Sequence, residues 1–504
     1  MNTATCPYQK HTSPKKLKAS FEEVKPKTGF PKFLDSLKKW TAIFSISSIR
    51  NSVHLGKTGN FQSLLLKQWN GVDPVVEVNT FEGLQYVFCD PTLIQLILSQ
   101  YRSEKNGLFH VPDNKRLFVD NIVRELFPEE AKQYSDEELE SWVILTADAS
   151  LIPDLRNKIM GFLKPQAVQE AYSELEKIAA EIFSSLTPQE LESIDPADLA
   201  FEFAITVVSR LFTNYQGSRE AYIRIAKALM RVGKRIEERI LRRNEDEASY
   251  QEALHVVRTF IEENVAESPP SRLVSGLQVH GLPKLAMKMY LYFFYLAGTE
   301  TTAAVTHYLL LMMGRKDNKH LQELARSDAN LLKKCVIEAL RLNPPAYVLG
   351  RVLQRDICMV LKDEQNQVVW SRHFIKGARL LSWVGGAARN PKLYEQSERF
   401  DPTRFASVPN HLPWFPFASG PHTCPGQFLA RAEIEAFLTQ LLAAYQFECY
   451  PDCQELDTKG IFTLHADPDK KIRLKLTPLE ASSDEKVVTS ILTERTCPYS
   501  RGTE

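Results

Sequence analysis

The sequence has little glycine and no net charge, and each of these absences excludes a class of protein. Its 504 residues include only 21 glycines against 28 prolines, which argues against glycine-rich repeats and favours helices separated by proline-containing turns. Sixty-two basic and 62 acidic residues cancel, so the chain lacks the positive field expected of a nucleic-acid-binding protein. Hydrophobic residues make up 44% and charged residues 25%, as in an ordinary globular protein. We therefore expect no nucleic-acid partner.

The eight cysteines are scattered and form no disulfide framework, which favours a reducing compartment. The N-terminal segment lacks the apolar region of a secretory signal, and Trp40–Ile49 is long enough only to lie on a membrane surface. Met289–Gly314 has the length of a membrane span, but Glu300 near its midpoint would be costly in lipid. We interpret this segment as a buried core helix with functional polar groups. The expected protein is soluble and cytoplasmic, with peripheral membrane association left open.

The two ends of the chain are polar and the part between them is globular in composition. Residues 1–30 and 481–504 are rich in Lys, Ser, Thr and Glu, which predicts loose tails around a single domain at 31–480. Thr-Cys-Pro-Tyr occurs at both ends, and the match is short enough to be coincidence.

Apolar spacing predicts the order of helices and strands. Val75–Val78 and Leu84–Cys89 alternate like a hairpin, and the pattern from Asp136 to Met313 is helical throughout. Short strand-like segments return after Arg351, and a final helix is predicted at Gly426–Tyr445. The later strands are predicted at Met359–Leu361, Val368–Trp370, Leu380–Val384, Gly460–His465 and Ile472–Leu476. The predicted fold class is α+β, mainly helical, with a large helical body and a small β-rich portion.

The segment from Phe417 to Gly426 has the pattern F-x-x-G-x-x-x-C-x-G and directly precedes an amphipathic helix. A thiolate at Cys424 is a strong anionic iron ligand, and it needs shielding and N–H donors to stay ligated. Flanking glycines let backbone amides approach the sulfur, and the following helix N-terminus favours its negative charge. His422 is placed to reach an anionic group on a bound macrocycle. A buried structural cysteine before a helix is the alternative.

This segment resembles the haem-ligand loop of the cytochromes P-450. The resemblance implies haem b as cofactor, with Cys424 as its proximal iron ligand, Phe417 and Gly426 beside it, and dioxygen on the opposite face of the haem. The similarity extends over residues 70 to 480 and implies the cytochrome P-450 fold.

A second segment, Ala297-Gly-Thr-Glu300-Thr301-Thr, is similar to the distal oxygen-activating signature of that family. The resemblance places Ala297 next to the haem. A threonine hydroxyl inside a helix competes for backbone carbonyls and can open a groove for dioxygen and water. Glu300 beside it could relay the protons needed to cleave the O–O bond. The alternative is a tolerated threonine cluster with a surface glutamate.

Two further motifs resemble the buried charge network of the family. Glu338 and Arg341 are spaced i, i+3 and share one helix face, a pattern that alone indicates little. Phe400-Asp-Pro-Thr403-Arg404-Phe resembles the F-x-P-E-R-F segment, with threonine where glutamate is common. The resemblance implies a network of Glu338, Arg341 and Arg404 that holds the chain leading to the iron ligand.

The two propionates of haem require basic partners. The resemblance offers Arg351, His422 and Arg156 for this role. Four residues before Arg156 the family usually has tryptophan or histidine, whereas this chain has Ile152. That departure puts the contribution of Arg156 in doubt.

The family also implies where a substrate binds. The candidate segments are mostly apolar and aromatic, which indicates a lipophilic substrate, although each residue could equally belong to the core. They include the loop from Leu108 to Phe118. The named candidates are Tyr295, Leu296, Val348, Leu349, Ile461 and Phe462.

The sequence contains no flavin or nicotinamide fingerprint, so we expect electrons from NAD(P)H to arrive through a separate ferredoxin or flavin reductase. The basic segment Arg231–Arg243 could dock an acidic partner, although a solvated helix face explains it better. Cys449 and Cys453 alone are a weak metal or disulfide signal. We expect a monomer.

These observations together favour a haem-thiolate monooxygenase that hydroxylates or epoxidises a lipophilic small molecule, of the fatty-acid, terpenoid, sterol or polyketide class. One alternative is a haem-thiolate peroxygenase, or a hydroperoxide isomerase or dehydratase, which needs no reductase. A second is a haem sensor without catalytic activity.

Overall fold

A computed structural model describes most of the chain between residues 61 and 479, together with a short N-terminal strand. The described residues are 17–23, 51, 61–71, 73–80, 83–99, 109–110, 119–142, 151–241, 246–266, 269–406, 414–452, 458–459, 463, 465–466 and 471–479. The predicted strand at Gly460–His465 lies largely outside them.

The described strands form four small antiparallel or mixed sheets. They are β1 Lys18–Glu23, β2 Val75–Thr80, β3 Gly83–Phe88, β4 Phe109–His110, β5 Val348–Leu353, β6 Ile357–Lys362, β7 Val368–Phe374, β8 Arg379–Trp383, β9 Tyr445–Tyr450, β10 Thr458–Lys459, β11 His465–Ala466 and β12 Arg473–Pro478. The largest sheet has the order β2-β3-β8-β5-β4, with β3 and β8 parallel and the other pairs antiparallel. The other sheets are β1-β6-β7, β9-β12 and β10-β11. Strands from both halves of the chain therefore share sheets, as the sequence predicts.

The helical body lies between β4 and β5 and is completed by one helix after β8. Its α-helices, with those that flank the strands, are α1 Phe61–Gln68, α2 Pro91–Ser99, α3 Arg124–Leu126, α4 Pro128–Ala131, α5 Asp136–Ser141, α6 Ile152–Leu163, α7 Pro165–Ser184, α8 Pro188–Glu192, α9 Pro196–Phe212, α10 Arg219–Leu241, α11 Glu247–Ala266, α12 Arg272–Val279, α13 Lys284–Met313, α14 Lys319–Ser327, α15 Ala329–Leu342, α16 Val384–Ala387 and α17 Gln427–Ala444. The mainly helical α+β fold class is confirmed.

The long helix α13 runs through the helical core. It is apolar on nearly all sides, which is typical of a buried helix, and most of its residues are buried. It packs closely against α9 at Gly298, where a Cβ atom would come within 2.9 Å of Val208 Cγ2. Among the described residues, no helix is long and apolar enough to cross a membrane.

The strand β1 lies within residues 1–30, which we predicted as a loose tail. It pairs antiparallel with β6 from Lys18 opposite Lys362 to Glu23 opposite Ile357. Ala19 and Phe21, on one face of the strand, pack against the hydrophobic cluster beneath the sheets. The N-terminal boundary of the folded part therefore differs from the predicted one, because two apolar side chains at period two are enough to anchor a strand on an existing sheet.

Candidate active site

The loop before α17 is held in a turn that leaves the side chain of Cys424 half-buried. The Cys424 N–H donates to the Phe417 carbonyl over 2.8 Å, and the Thr423 N–H donates to the Gly420 carbonyl over 3.0 Å. Gly420 has a φ of +71°, and a Cβ atom there would overlap the carbonyl oxygen of Leu98 at the end of α2. Glycine is therefore required where the loop contacts α2.

Burial and the neighbouring polar groups have opposite effects on the pKa of the Cys424 thiol. Burial raises its pKa, whereas the Gly426 N–H and the positive charge of Arg156 lower it. Two groups that favour a thiolate thus lie beside a half-buried sulfur. This arrangement suits a metal ligand, because coordination replaces the proton and the N–H donor and cation stabilise the remaining charge.

Phe417 is held by an arginine from the following helix. The Arg431 guanidinium lies 4.9 Å from the ring centroids of both Phe417 and Trp414. The two rings contact each other edge to face with centroids 6.2 Å apart. The aromatic side chain at the start of the loop is therefore fixed from α17.

Three basic side chains converge beside the ligand loop. Arg156 on α6 donates to the Thr423 carbonyl, one residue before the candidate ligand. Arg351 on β5 is 6% exposed, and one of its Nη atoms donates to the Gly350 carbonyl over 2.7 Å. Burial, together with the charges of Arg351 and Arg156, lowers the pKa of His422 to about 3. A concentration of positive charge at one buried place fits a ligand with two carboxylates, so the residues present fit haem.

The arrangement places Arg156 in direct contact with the ligand loop. The sequence left its role in doubt because of Ile152, whose side chain lies outside the described part of the structure. Whether Arg156 bonds a propionate stays a prediction.

The polar turn of α13 contains the predicted acid and alcohol. The Thr301 hydroxyl donates to the Ala297 carbonyl over 2.7 Å, so it competes with the helix for that acceptor. Ala297 is exposed although its helix is buried on most sides, so accessible space adjoins this turn. Glu300 Oε1 lies 3.0 Å from His465 Nε2 on β11.

Sequence reasoning missed two titratable residues near this turn. One is His465, which lies 165 residues from Glu300 and carries no local motif. The other is Glu433 on α17, which is 1% exposed and has no hydrogen-bond partner for either carboxyl oxygen. Burial raises the pKa of Glu433 to about 8, although the nearby hydroxyl of Thr302 on α13 acts in the opposite direction. The sequence signal for Glu433 is a single acidic residue on an otherwise apolar face of the predicted helix.

The predicted charge network is present. Arg341 Nε and Nη2 donate to Glu338 Oε2 and Oε1 over 2.6 and 2.8 Å, and Arg404 Nε donates to Oε1 over 2.9 Å. Arg341 also donates to the carbonyls of Ala388 and Ser397, each over 2.7 Å. The network thus ties α15 to the chain that leads to the ligand loop.

The departure from the family pattern at Thr403 leaves this network intact. The Thr403 N–H and hydroxyl both donate to Asp401 Oδ1, over 3.0 and 2.5 Å. The Asp401 N–H in turn donates to Glu338 Oε1 over 2.9 Å. The threonine therefore stabilises the turn at Asp401 and does not displace Arg404.

Two of the candidate pocket residues lie in the core, the alternative that the sequence left open. Tyr295 is fully buried, and its hydroxyl bonds with that of Thr213, just after α9, at 2.7 Å and with that of Ser209 on α9 at 3.2 Å. Leu296 faces α10, where its methyl groups lie 3.5 Å from the position of a Cβ atom on Gly233.

The remaining candidates are divided between β5 and undescribed residues. Val348 and Leu349 are partly buried and pack against two different hydrophobic clusters of the sheets. Ile461 and Phe462 lie outside the described residues, as does most of the loop from Leu108 to Phe118.

The basic segment of α10 makes ion pairs within the chain. Arg231 bonds with the buried Glu238 at 2.9 Å, and Arg235 bonds with Glu247 at 2.8 Å and stacks over the ring of Tyr250. The side chains of its remaining arginines, Arg239, Arg242 and Arg243, lie outside the described part.

The cysteine pair at the end of the chain is only half described. Cys449 is buried against the end of α13, where its N–H donates to the Gly314 carbonyl over 2.8 Å, whereas Cys453 is outside the described residues.

Comparisons with known proteins agree with this geometry. A solved structure titled "Crystal Structure of CalO2" superposes with a TM-score of 0.62 over 82% of this chain and 95% of that one, at 17% identity, which is a likeness of fold. The cytochrome P450 315a1, mitochondrial, of Drosophila melanogaster is 23% identical over 76% of this chain and 73% of its own length.

Two other curated relatives match over a shorter part. The cholesterol side-chain cleavage enzyme, mitochondrial, of Hypanus americanus is 26% identical, and the abscisic acid 8'-hydroxylase 2 of Arabidopsis thaliana is 27% identical. Each match spans 36% of this chain, and 36% and 39% of the respective relative. The family model described as Cytochrome P450 matches residues 216–474, which include the polar turn of α13, the charge network and the ligand loop. The chain belongs to the cytochrome P450 family.

Proposed function

We propose that this protein is a haem-thiolate monooxygenase that hydroxylates or epoxidises a lipophilic small molecule. The observation that carries the proposal is the half-buried sulfur of Cys424, which a backbone N–H and Arg156 favour as a thiolate beside a cluster of basic groups. A haem cofactor follows from membership of the family. When bound, haem b would supply the activation of dioxygen.

The residues of this chain would hold the cofactor from two directions. Cys424 would ligate the iron, while Arg351, His422 and Arg156 would bind the propionates. The buried network of Glu338, Arg341 and Arg404 would keep the preceding chain in place and so fix the position of the sulfur. Arg351 and Arg156 come from elements other than the ligand loop, so the complete site depends on the packed fold.

Side chains of the polar turn of α13 would deliver the protons that the reaction consumes. The Thr301 hydroxyl donates to the Ala297 carbonyl, so its oxygen can still accept a hydrogen bond from a water molecule in the adjoining space. Glu300, on the same turn, would deliver protons towards that water. The two side chains supply an acid and a hydroxyl next to a site that must exclude stray water.

The substrate class is inferred from the candidate lining and from relatives. The names of similar proteins refer to cholesterol, abscisic acid and leukotriene B4, which are all lipophilic. Val348 and Leu349 on β5 remain candidate contacts. A fatty acid, terpenoid, sterol or polyketide would fit this chemistry.

Electrons would come from NAD(P)H through a separate ferredoxin or flavin reductase. This expectation rests on the absence of flavin and nicotinamide fingerprints in the sequence. A monomeric, cytoplasmic protein with no nucleic-acid partner stays a prediction.

The ligand assignment is tested by Cys424→Ala in the haem-loaded protein. We expect the variant to lose the red-shifted absorption band of the reduced carbon monoxide complex. Cys358→Ala, on the partly exposed strand β6, is the matched control and should keep the band. If the band persists without Cys424, that residue is not the ligand.

The reaction type is tested by the electron source. With a surrogate reductase, oxygen and a compound that shifts the spin state of the ferric haem, we expect a product that carries one atom of dioxygen. Turnover with peroxide alone, or with a fatty-acid hydroperoxide and no reductase, would instead show a peroxygenase or isomerase.

A further inference from the structure

An imidazole–carboxylate pair joins the distal turn of α13 to the strand β11. Glu300 Oε1 and His465 Nε2 are 3.0 Å apart, and their side chains are only 20% and 23% exposed. We infer that His465 is a positioning residue, which holds the carboxylate of Glu300 in the orientation needed for proton delivery. The inference rests on the proposed function, because it concerns the acid of the same site.

Within the described residues, Glu300 forms no ion pair with a lysine or arginine. A buried phenol, Tyr292, lies close enough to interact electrostatically with Glu300, and its hydroxyl lies 3.9 Å from the position of a Cβ atom on Gly233. Burial raises the pKa of Tyr292 well above its ordinary value, and its hydroxyl has no hydrogen-bond partner in the described structure, so it does not bond the carboxylate. The orientation of the carboxylate therefore depends on the imidazole.

The other charged groups around β11 leave this role to His465. His307 on α13 is partly buried, and desolvation together with the nearby His465 lowers its pKa to about 4 although Asp198 opposes the shift. Asp198 on α9 is itself paired with Lys227 on α10 at 2.7 Å. The residue opposite His465 in β10 is Lys459, whose side chain lies outside the described part of the structure. His307 thus stays neutral at physiological pH, and Asp198 is already paired with Lys227.

The two carboxyl oxygens of Glu300 have different roles in this arrangement. The hydrogen bond to the imidazole occupies Oε1, which leaves Oε2 to accept a proton and pass it to water beside Thr301. A glutamate has three rotatable bonds, so without this bond its carboxyl group would sample several positions. Since β11 comes from the far end of the chain, its docking on α13 decides whether the acid is correctly placed.

The test compares His465→Ala with His465→Gln in the haem-loaded protein. A glutamine amide can donate a hydrogen bond to Oε1, whereas alanine cannot. His320→Ala, an exposed histidine on α14, is the matched control. We expect the alanine variant to form product about tenfold more slowly, with more peroxide per electron. The glutamine variant should recover most of the coupling.

A second measurement needs no turnover. We expect backbone amides of β10 and β11 to exchange hydrogen about fivefold faster in His465→Ala, because one hydrogen bond to α13 is lost. Glu300→Ala should produce the same change, since it removes the other partner. The glutamine variant should exchange like the wild type.

Unchanged coupling in His465→Ala, or equal losses in the alanine and glutamine variants, would overturn the positioning role. Unchanged exchange in both alanine variants would overturn the contact itself. These outcomes are distinct from failure of the proposed function, which would appear as loss of the carbon monoxide band in the wild type.

Discussion

The buried carboxyl group of Glu433 should make the protein less stable as pH rises. It is 1% exposed, its two oxygens have no hydrogen-bond partner in the described structure, and burial raises its pKa from 4.5 to about 8. Between these two values the folded state keeps the proton and the unfolded state loses it. The free energy of unfolding therefore falls by about 1.4 kcal/mol for each pH unit in this window. Below it the group has no effect, and above it the loss is constant.

The substitution Glu433→Gln isolates this effect, because an amide has the shape of the protonated acid and does not ionise. As the pH rises from 5.5 to 7.5, the free energy of unfolding of the variant should increase by about 2 to 3 kcal/mol relative to that of the wild type. Glu202, whose pKa burial raises to about 7, contributes equally to both proteins and cancels in the difference.

The measurement is urea-induced unfolding of the haem-loaded proteins at the two pH values, followed by circular dichroism. Glu252→Gln, on the exposed side of α11, is the control and should track the wild type. Parallel pH profiles for the wild type and Glu433→Gln would refute the argument, since they would mean that Glu433 is solvated or paired in the folded protein.

Three further predictions concern the site and its support. Thr301→Ala should release more peroxide per electron consumed, whereas Thr306→Ala, which removes a similar bond to the Thr302 carbonyl, should leave that ratio unchanged; equal ratios in both variants would remove Thr301 from proton delivery. Glu338→Gln should lower the free energy of unfolding by about 3 to 5 kcal/mol and weaken haem retention, because two fully or largely buried guanidinium groups lose their counter-charge. The control for Glu338→Gln is Asp317→Asn in the exposed pair of Arg315 and Asp317. It should lower the free energy of unfolding by less than about 1 kcal/mol. Tyr295→Phe should cost about 1 to 2 kcal/mol from two lost hydrogen bonds and leave substrate-induced spin shifts unchanged; altered spin shifts would instead make Tyr295 a pocket residue.

The sequence alone predicted those parts of the site that depend on residues close together in the chain. The turn of Cys424 and the pairing of Glu338 with Arg341 involve residues within one loop or one helical turn, so the order of residues almost determines their geometry. The apolar composition of α13 likewise predicts a buried helix, and the structure contains it.

Only the tertiary structure decided which distant groups meet the polar turn of α13. His465 reaches Glu300 because a short strand from the end of the chain docks there, and Glu433 is buried because α17 packs on α13. The same packing between helices placed Tyr295 in the core, where Thr213 and Ser209 satisfy its hydroxyl. Such contacts join residues tens to hundreds of positions apart, so no local pattern specifies them; they arise from the way the apolar faces of whole elements fit together.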